Sequence, residues 1–153
     1  LGMCIKNGII YGDYMTSYSV MAVKNDGTIY TPAQGLMGKD LLAAGVKDTY
    51  NFGPILIQNG EAQLPWAETE KYYPRTAVGM VKPNDYVLLV TDTGTYNGLN
   101  HWDMVNIFKS YGCTYAYNLD GGGSATLYFN GKVMNKLIGN TQRPCADFLY
   151  FTR

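Results

Sequence analysis

Thr114-Tyr115-Ala116-Tyr117-Asn118-Leu119-Asp120-Gly121-Gly122-Gly123-Ser124 reads as a buried strand that runs straight into an acid, three glycines and a hydroxyl. Glycine loses more backbone freedom on ordering than any other residue, so three in succession mark a position that nothing larger can occupy. A turn of this kind can aim several backbone N–H groups into one concavity that suits an anion. Asp120 and Ser124 add a carboxylate and a hydroxyl at its two ends. A glycine-rich turn after a strand is also how a plain hairpin or tight bend is built. Here the triplet is longer than a two-residue hairpin needs. Ala125-Thr126-Leu127-Tyr128-Phe129 resumes an extended pattern at once, and Asn130-Gly131 supplies the hairpin signal itself. The triplet is left without a simple turning role and reads as a site. It is not a phosphate-binding P-loop, because no Gly-Lys-Ser/Thr follows. Gly-x-Ser-x-Gly fails at Thr126, so Ser124 is a weak nucleophile candidate.

Outward from this strand, turn chemistry sets the fold class. Residues 1–11 read as strand, Asn7-Gly8 turn, strand. Ser19–Val23 and Thr28–Thr31 flank Lys24-Asn25-Asp26-Gly27 as a second hairpin. Lys39–Val46 has helical character and is ended by Gly45. Tyr50–Ile57 reads as a strand opened by a Gly53-Pro54 bend, with Asn59-Gly60 as its turn. Glu61–Tyr73 is polar, carries Pro65 and reads as a loop or lid. Thr76–Met80 and Tyr86–Thr91 are apolar enough for strands joined through Lys82-Pro83-Asn84-Asp85. The clearest helix runs from His101 to Tyr111. Asn100 is its N-cap, Asp103 lies in its first turn, and Met104, Ile107, Phe108 and Tyr111 form an apolar stripe. Gly112 ends it. Asp147–Phe151 reads as a last strand. Many strands with antiparallel-type turns and one or two helices indicate an α+β domain.

The bulk composition narrows the function classes. At 153 residues the chain fits one domain with a sizeable core. Twelve basic residues balance twelve acidic ones with no strongly basic segment, which argues against a nucleic-acid surface. No apolar run has the length of a membrane span, and no signal-peptide pattern is present. Fourteen tyrosines could include rings that stack on sugars, although aromatics more often fill cores. Cys4, Cys113 and Cys145 have no zinc-type spacing and read as buried free thiols, with one disulfide as the alternative. The chain opens with neither an initiator methionine nor a leader and reads as a piece of something longer.

A second polar constellation lies at strand ends. Arg75-Thr76 places a guanidinium fork and a hydroxyl at the mouth of one strand, suited to two-point recognition of phosphate or carboxylate. Asp92-Thr93-Gly94 ends the next strand with a carboxylate, and Gln142-Arg143 precedes the last. Each alone would be a surface charge. If the strands are neighbours in one sheet, Arg75, Asp92, Asp120 and Arg143 converge. His101, the only histidine, sits in the first helical turn, a poor place for a general base, and with Asn140 is too isolated to form a metal cluster.

Together these residues resemble the phosphodiester glycosidase family. The matching blocks are Phe52–Gly60, Pro74–Gly79, Tyr86–Asp92, Ser110–Cys113, Ala116–Ser124 and Arg143–Asp147, in the family's order across most of the chain. The Arg75-Thr76 and Asp120–Ser124 blocks are the specific ones. The resemblance implies one domain over residues 1–153 without the family's N-terminal segment, which bears an Asn-x-x-Phe-like element. It implies an α+β fold with a large mixed, mostly antiparallel β-sheet and a few helices packed on it. It also implies hydrolysis of a sugar-1-phosphodiester, N-acetylglucosamine-like, to free sugar and phosphomonoester; the residues themselves suggest no cofactor and no metal ligands. Family members often act outside the cytoplasm, on envelope or secretory-pathway substrates. Asp92-Thr93-Gly94 stands where Asp-Gly is commoner.

The chemistry fits the residues independently. An ordinary glycoside needs two carboxylates, one to protonate a poor leaving group. Phosphate is already stable as an anion, so cationic and N–H donors toward it matter more. Arg75, Thr76 and the backbone of Gly121, Gly122 and Gly123 could supply these, with Ser124 and Arg143 as further substrate-binding residues. Asp120 is the first candidate for the carboxylate that activates water or attacks the anomeric carbon, and Asp92 the second. The alternative is a module that binds a phosphosugar or cell-wall glycan without turnover. A phosphodiesterase attacking phosphorus would ordinarily require metal ligands that the sequence does not supply.

Overall fold

The computed structural model describes residues 2–64, 71–92, 94 and 97–151. The Asn-Gly pairs turn the chain where the sequence places them. Asn7, Asn59 and Asn130, each followed by glycine, hold φ near +50°, and the glycines follow at +76° to +83°. Both central residues of such a two-residue turn need positive φ, which Asn and Gly tolerate best. The turns close the hairpins β1 (Cys4–Lys6) with β2 (Ile9–Gly12), β6 (Ile55–Gln58) with β7 (Glu61–Ala62), and β11 (Tyr128–Phe129) with β12 (Lys132–Val133).

The strands divide between two principal sheets. β3 (Ser19–Lys24) lies between β4 (Ile29–Tyr30) and β5 (Val46–Phe52) in a three-stranded sheet. The other sheet has five strands in the order β7-β6-β10-β8-β9, with β8 (Thr76–Lys82), β9 (Asp85–Val90) and β10 (Tyr115–Leu119). Every strand pair is antiparallel. The fold is α+β. Gly53-Pro54, with a cis peptide bond, carries the chain from β5 in one sheet to β6 in the other.

Side-chain alternation builds the layers. In β10, Tyr115, Tyr117 and Leu119 face the three-stranded sheet, packing with Met21, Ile29 and Tyr50. Ala116 faces the opposite way, toward Met104, Val105 and Phe108 of α2 (His101–Ser110). α1 (Gly38–Ala43) and the β1-β2 hairpin cover the outer face of the smaller sheet through Leu41, Met3 and Ile5, which meet Val20 and Ala22. The order is therefore helix, five-stranded sheet, three-stranded sheet, then helix and hairpin. The two inner sheets are buried on both faces, so β3 and β10 read as nearly continuous apolar runs.

Three sequence expectations change: two strands and the burial of the cysteines. Residues 147–151 form no strand among the described residues; they lie across the end of the inter-sheet core. Asp147 pairs with Lys6 at 2.8 Å, Leu149 packs against the core and the Phe151 ring lies tilted against Tyr86 of β9. Only residues 128–129 of the expected 125–129 strand pair as a strand. Leu127 N–H instead donates to the side-chain Oδ1 of Asn135 at 2.7 Å. Of the cysteines, Cys113 is buried, Cys4 half-buried and Cys145 exposed, and all are free thiols. The expected loop at 61–73 begins as β7, and its residues 65–70 lie outside the described residues.

Candidate active site

The antiparallel register brings three strand ends together. Leu119 of β10 pairs with Thr76 of β8, and Thr76 pairs with Val90 of β9. One step further, Arg75 stands between Asp120 on one side and Thr91 on the other. Hydrogen bonds fix this arrangement. Gly122 N–H donates to Pro74 O at 2.8 Å, Thr91 N–H to Arg75 O at 2.9 Å, and Arg75 N–H to Thr91 Oγ1 at 3.0 Å.

Asp120 is the centre of the polar cluster. Its Oδ2 accepts from Ser124 Oγ at 2.7 Å and from Arg143 Nη2 at 2.5 Å. Charge-assisted bonds of this kind are short. Both side chains remain about half exposed, at 46% and 55%, so the pair adds little to folding stability and leaves the carboxylate open to a ligand. The glycines hold the geometry unequally. A Cβ at Gly121 would collide with the Pro74 carbonyl, Gly122 adopts φ +56°, and Gly123 lies against the Arg143 stem with room for a Cβ. The turn is a single 3-10 turn over Gly122–Ser124. Ser124 N–H donates to Gly121 O and Ala125 N–H to Gly122 O, so with Gly122 three of the turn's N–H groups are taken within the structure. An outward cradle built from all of them is therefore excluded.

The other expected residues take distinct places. Arg75 reaches away from Asp120, donating from Nε to Leu99 O at 3.2 Å and from Nη2 to Lys71 O at 3.0 Å. Burial pulls its pKa below the ordinary value, with the Tyr73 ring at 5.3 Å beside it. Thr76 lies on the Val78–Met80 face, toward the other sheet. Its Oγ1 is buried and has no hydrogen-bond partner in the structure. Asp92 accepts backbone N–H groups with both oxygens, from Gly94 and from Lys136, each at 2.8 Å. Those two bonds hold its carboxyl below the usual range, the Lys136 bond most strongly. Thr93 lies outside the described residues. The four charged residues thus share one end of the sheet, where Asp120 and Arg143 touch while Arg75 and Asp92 are each anchored to backbone.

Asn135, which carries no sequence motif, has a structural part here. Its Oδ1 accepts from Leu127 N–H, and its Nδ2 donates to Ala125 O at 2.9 Å. The amide imitates a neighbouring strand and pins the segment that leaves the glycine turn. A lone Asn before Lys gives no local signal of this, because the contact spans eight to ten residues. Beside it opens a cleft of about 700 Å³ between the end of β9, α2 and the β11-β12 hairpin. Among the described residues no group of three or more His, Cys, Asp or Glu side chains is placed to hold a metal ion.

The α+β scaffold presents a carboxylate paired with arginine at one end of its larger sheet. Comparison with known proteins gives the family: a family model described as phosphodiester glycosidase matches residues 1–152, and the chain belongs to that family. A SPbeta prophage-derived uncharacterized protein, YomE, of Bacillus subtilis is 29% identical over 97% of this chain and 25% of its own length. Mouse N-acetylglucosamine-1-phosphodiester alpha-N-acetylglucosaminidase is 43% identical over 85% of this chain and 29% of its own length. The catalytic domain of the zebrafish enzyme of that name, solved auto-inhibited by its pro-peptide, superimposes with a TM-score of 0.74. That match has 24% identity and covers 90% of this chain and 50% of the other, a likeness of fold. The chain spans about a quarter of the length of the curated relatives it matches.

Proposed function

We propose that this chain carries the hydrolytic site of a phosphodiester glycosidase that cleaves the sugar–phosphate bond of a sugar-1-phosphodiester, N-acetylglucosamine-like in its sugar. The observation that carries the reading is the Asp120 carboxylate held by Ser124 and Arg143 directly across the sheet end from Arg75. Asp120 attacks the anomeric carbon or activates the water that does. Arg143 and Ser124 hold its Oδ2 and so fix its rotamer. Arg75, directed away from Asp120 with two N–H groups tied to the carbonyls of Leu99 and Lys71, adds positive charge near the departing phosphate rather than a donor aimed at it. Asp92, occupied by two backbone N–H groups, positions the β11-β12 hairpin rather than acting as the base. Thr76 contributes through the strand and not through its hydroxyl. The same reading takes the substrate as an envelope or secreted glycan outside the cytoplasm.

The test is hydrolysis of an N-acetylglucosamine-1-phosphodiester in heavy-oxygen water. Label on the anomeric oxygen supports carbon–oxygen cleavage, whereas label on phosphate overturns it. Asp120→Asn is expected to lower kcat on the order of a thousandfold or more, as for loss of a nucleophile or base. A glycan-binding module would instead show affinity for the diester, unaffected by Asp120→Asn, and no turnover at all.

A further inference from the structure

We infer that Cys4 and Cys145 form a disulfide site: a small-molecule disulfide of the glutathione class couples the two thiols and staples residues 143–151 to the first hairpin. Nothing in this depends on the hydrolase reading. Two chain segments run the same way here. β1 follows the edge of β5 in the opposite sense to it: Asn51 Nδ2 donates to Met3 O at 2.6 Å, Ile5 N–H to Thr49 Oγ1 at 2.8 Å, and Gly8 N–H to Lys47 O at 2.9 Å. β5 ends beside the strand that leads to Asp120, since Gly53 N–H donates to Asn118 O at 3.1 Å. β1 therefore starts near the Asp120 end and leads away from it. Residues 143–151 do likewise. Arg143 holds Asp120, and Phe151 lies against Tyr86, at the end of β9 opposite to the pairing of Val90 with Thr76. The ion pair of Lys6 with Asp147, at 2.8 Å, sets the register between the two segments. Lys6 Nζ is itself fixed, 3.1 Å from Thr49 O and 3.5 Å from the centre of the Tyr50 ring. Two residues before the ion pair, on each segment, stands a cysteine: Cys4 before Lys6 and Cys145 before Asp147.

Exposure sets the order of reaction. Cys145 is exposed and its Sγ makes one weak bond, to Arg143 O at 3.4 Å, whereas Cys4 is half-buried. The Cys145 thiolate attacks one sulfur of glutathione disulfide, forms a mixed disulfide and releases one glutathione thiolate. The Cys4 thiolate then attacks the Cys145 sulfur and the second glutathione leaves. The two cysteines are oxidised, the glutathione disulfide is reduced, and the two protons lost by the protein end on the two glutathione thiols. Cys113 takes no part. It packs with Phe108 in the helical layer on the other face of the five-stranded sheet, and burial pushes its thiol up. A disulfide requires Cα atoms about 4.4–6.8 Å apart. Apart from Leu149, residues 143–151 are exposed side chains, so this segment can settle against β1 without disturbing the core.

The test incubates the folded chain with reduced and oxidised glutathione at mildly alkaline pH, blocks the remaining thiols with N-ethylmaleimide and maps the protein by mass spectrometry. The expected product has lost two hydrogens, links the Cys4 and Cys145 peptides, and carries a Cys113 that is blocked only after unfolding. It should melt about 5–10 °C above the same chain treated with dithiothreitol, because the bridge closes nearly the whole chain into one loop. Cys4→Ser and Cys145→Ser replace side chains outside the buried core, so folding should tolerate both. Each is expected to lose the bridge and the rise in melting temperature. A wild-type chain that retains glutathione on Cys145 without a bridge, joins Cys145 to a second copy, or links either thiol to Cys113 overturns the pairing. A bridge between Cys4 and Cys145 that leaves the melting temperature unmoved or lowers it also overturns it, since a disulfide forced between misplaced thiols stores strain in the folded state.

Discussion

A Cβ added at Gly121 would run into the Pro74 carbonyl oxygen and press within 3.4 Å of the Arg75 Cα, both backbone atoms that cannot swing aside. Gly123, two residues on, would place its Cβ 3.7 Å from the flexible Arg143 stem, an ordinary contact. Gly121→Ala is therefore expected to destabilise by at least about 2 kcal/mol and to displace Asp120, while Gly123→Ala stays within about 0.5 kcal/mol of the parent. Urea unfolding of both variants checks the contrast, and equal effects would refute it. The triplet was legible in the sequence as a turn that demands glycine, but its division of labour was not, because close approach to Pro74 is a tertiary fact. The role of Asp92 was hidden for the same reason. With its folded pKa depressed below the ordinary 3.8, its contribution to stability is present above that value and is lost as pH falls through the folded one. A ¹⁵N-resolved acid titration should show the Lys136 and Gly94 amide shifts moving together below pH 3.8, and Asp92→Ala should abolish that movement.

At the scale of elements, α2 links a local sequence signal to the site. Asn100 Oδ1 accepts from Asp103 N–H at 2.8 Å, and Asp103 reaches back to Asn100 N–H at 3.5 Å, a reciprocal cap. The residue before the cap, Leu99, supplies the carbonyl that orients Arg75. Asn100→Ala should cost about 1 kcal/mol. Because the fraying begins at the Arg75 anchor, kcat/KM should fall more than the drop in folded population explains. Denaturant unfolding alongside steady-state kinetics would separate the two, and a kinetic loss equal to the population loss would remove α2 from the site. The helix and the Asn-Gly hairpins could be read from sequence since caps and positive-φ turns are local devices. Residues 147–151 misled because an apolar run suits a strand only when an edge receives it. Here Lys6, the inter-sheet core and Tyr86 receive its side chains instead. Asn135 was invisible, its two backbone partners lying eight and ten residues away.

For the whole molecule, the junction between the two sheets is the feature that periodicity could not assign. Alternation shows which residues of a strand share a face; it does not tell which sheet the strand joins or where a chain crosses between sheets. Tyr117 and Tyr115 of β10 make that junction with polar tips inside an apolar layer. Phe52 N–H donates to Tyr117 Oη at 2.8 Å, and Tyr117 Oη donates to Ser19 O at 2.5 Å. Tyr115 Oη lies 2.7 Å from Thr31 Oγ1. Burial pushes both phenols well above their ordinary value of 10.0. The folded state therefore favours the neutral phenol, and that stabilisation is complete below pH 10 and lost as pH climbs toward the raised folded values. Tyr117→Phe leaves a backbone donor and an acceptor unpaired, a cost of about 1–3 kcal/mol at neutral pH. It also removes one ionisable group from the layer, so the variant should lose less stability than the parent between neutral pH and pH 11. Thermal unfolding of both chains across that range reads the two effects separately. A parent and variant whose melting curves stay parallel above pH 10 would mean that the inter-sheet tyrosines do not carry the alkaline sensitivity, and the two sheets would then have to be coupled by apolar packing alone.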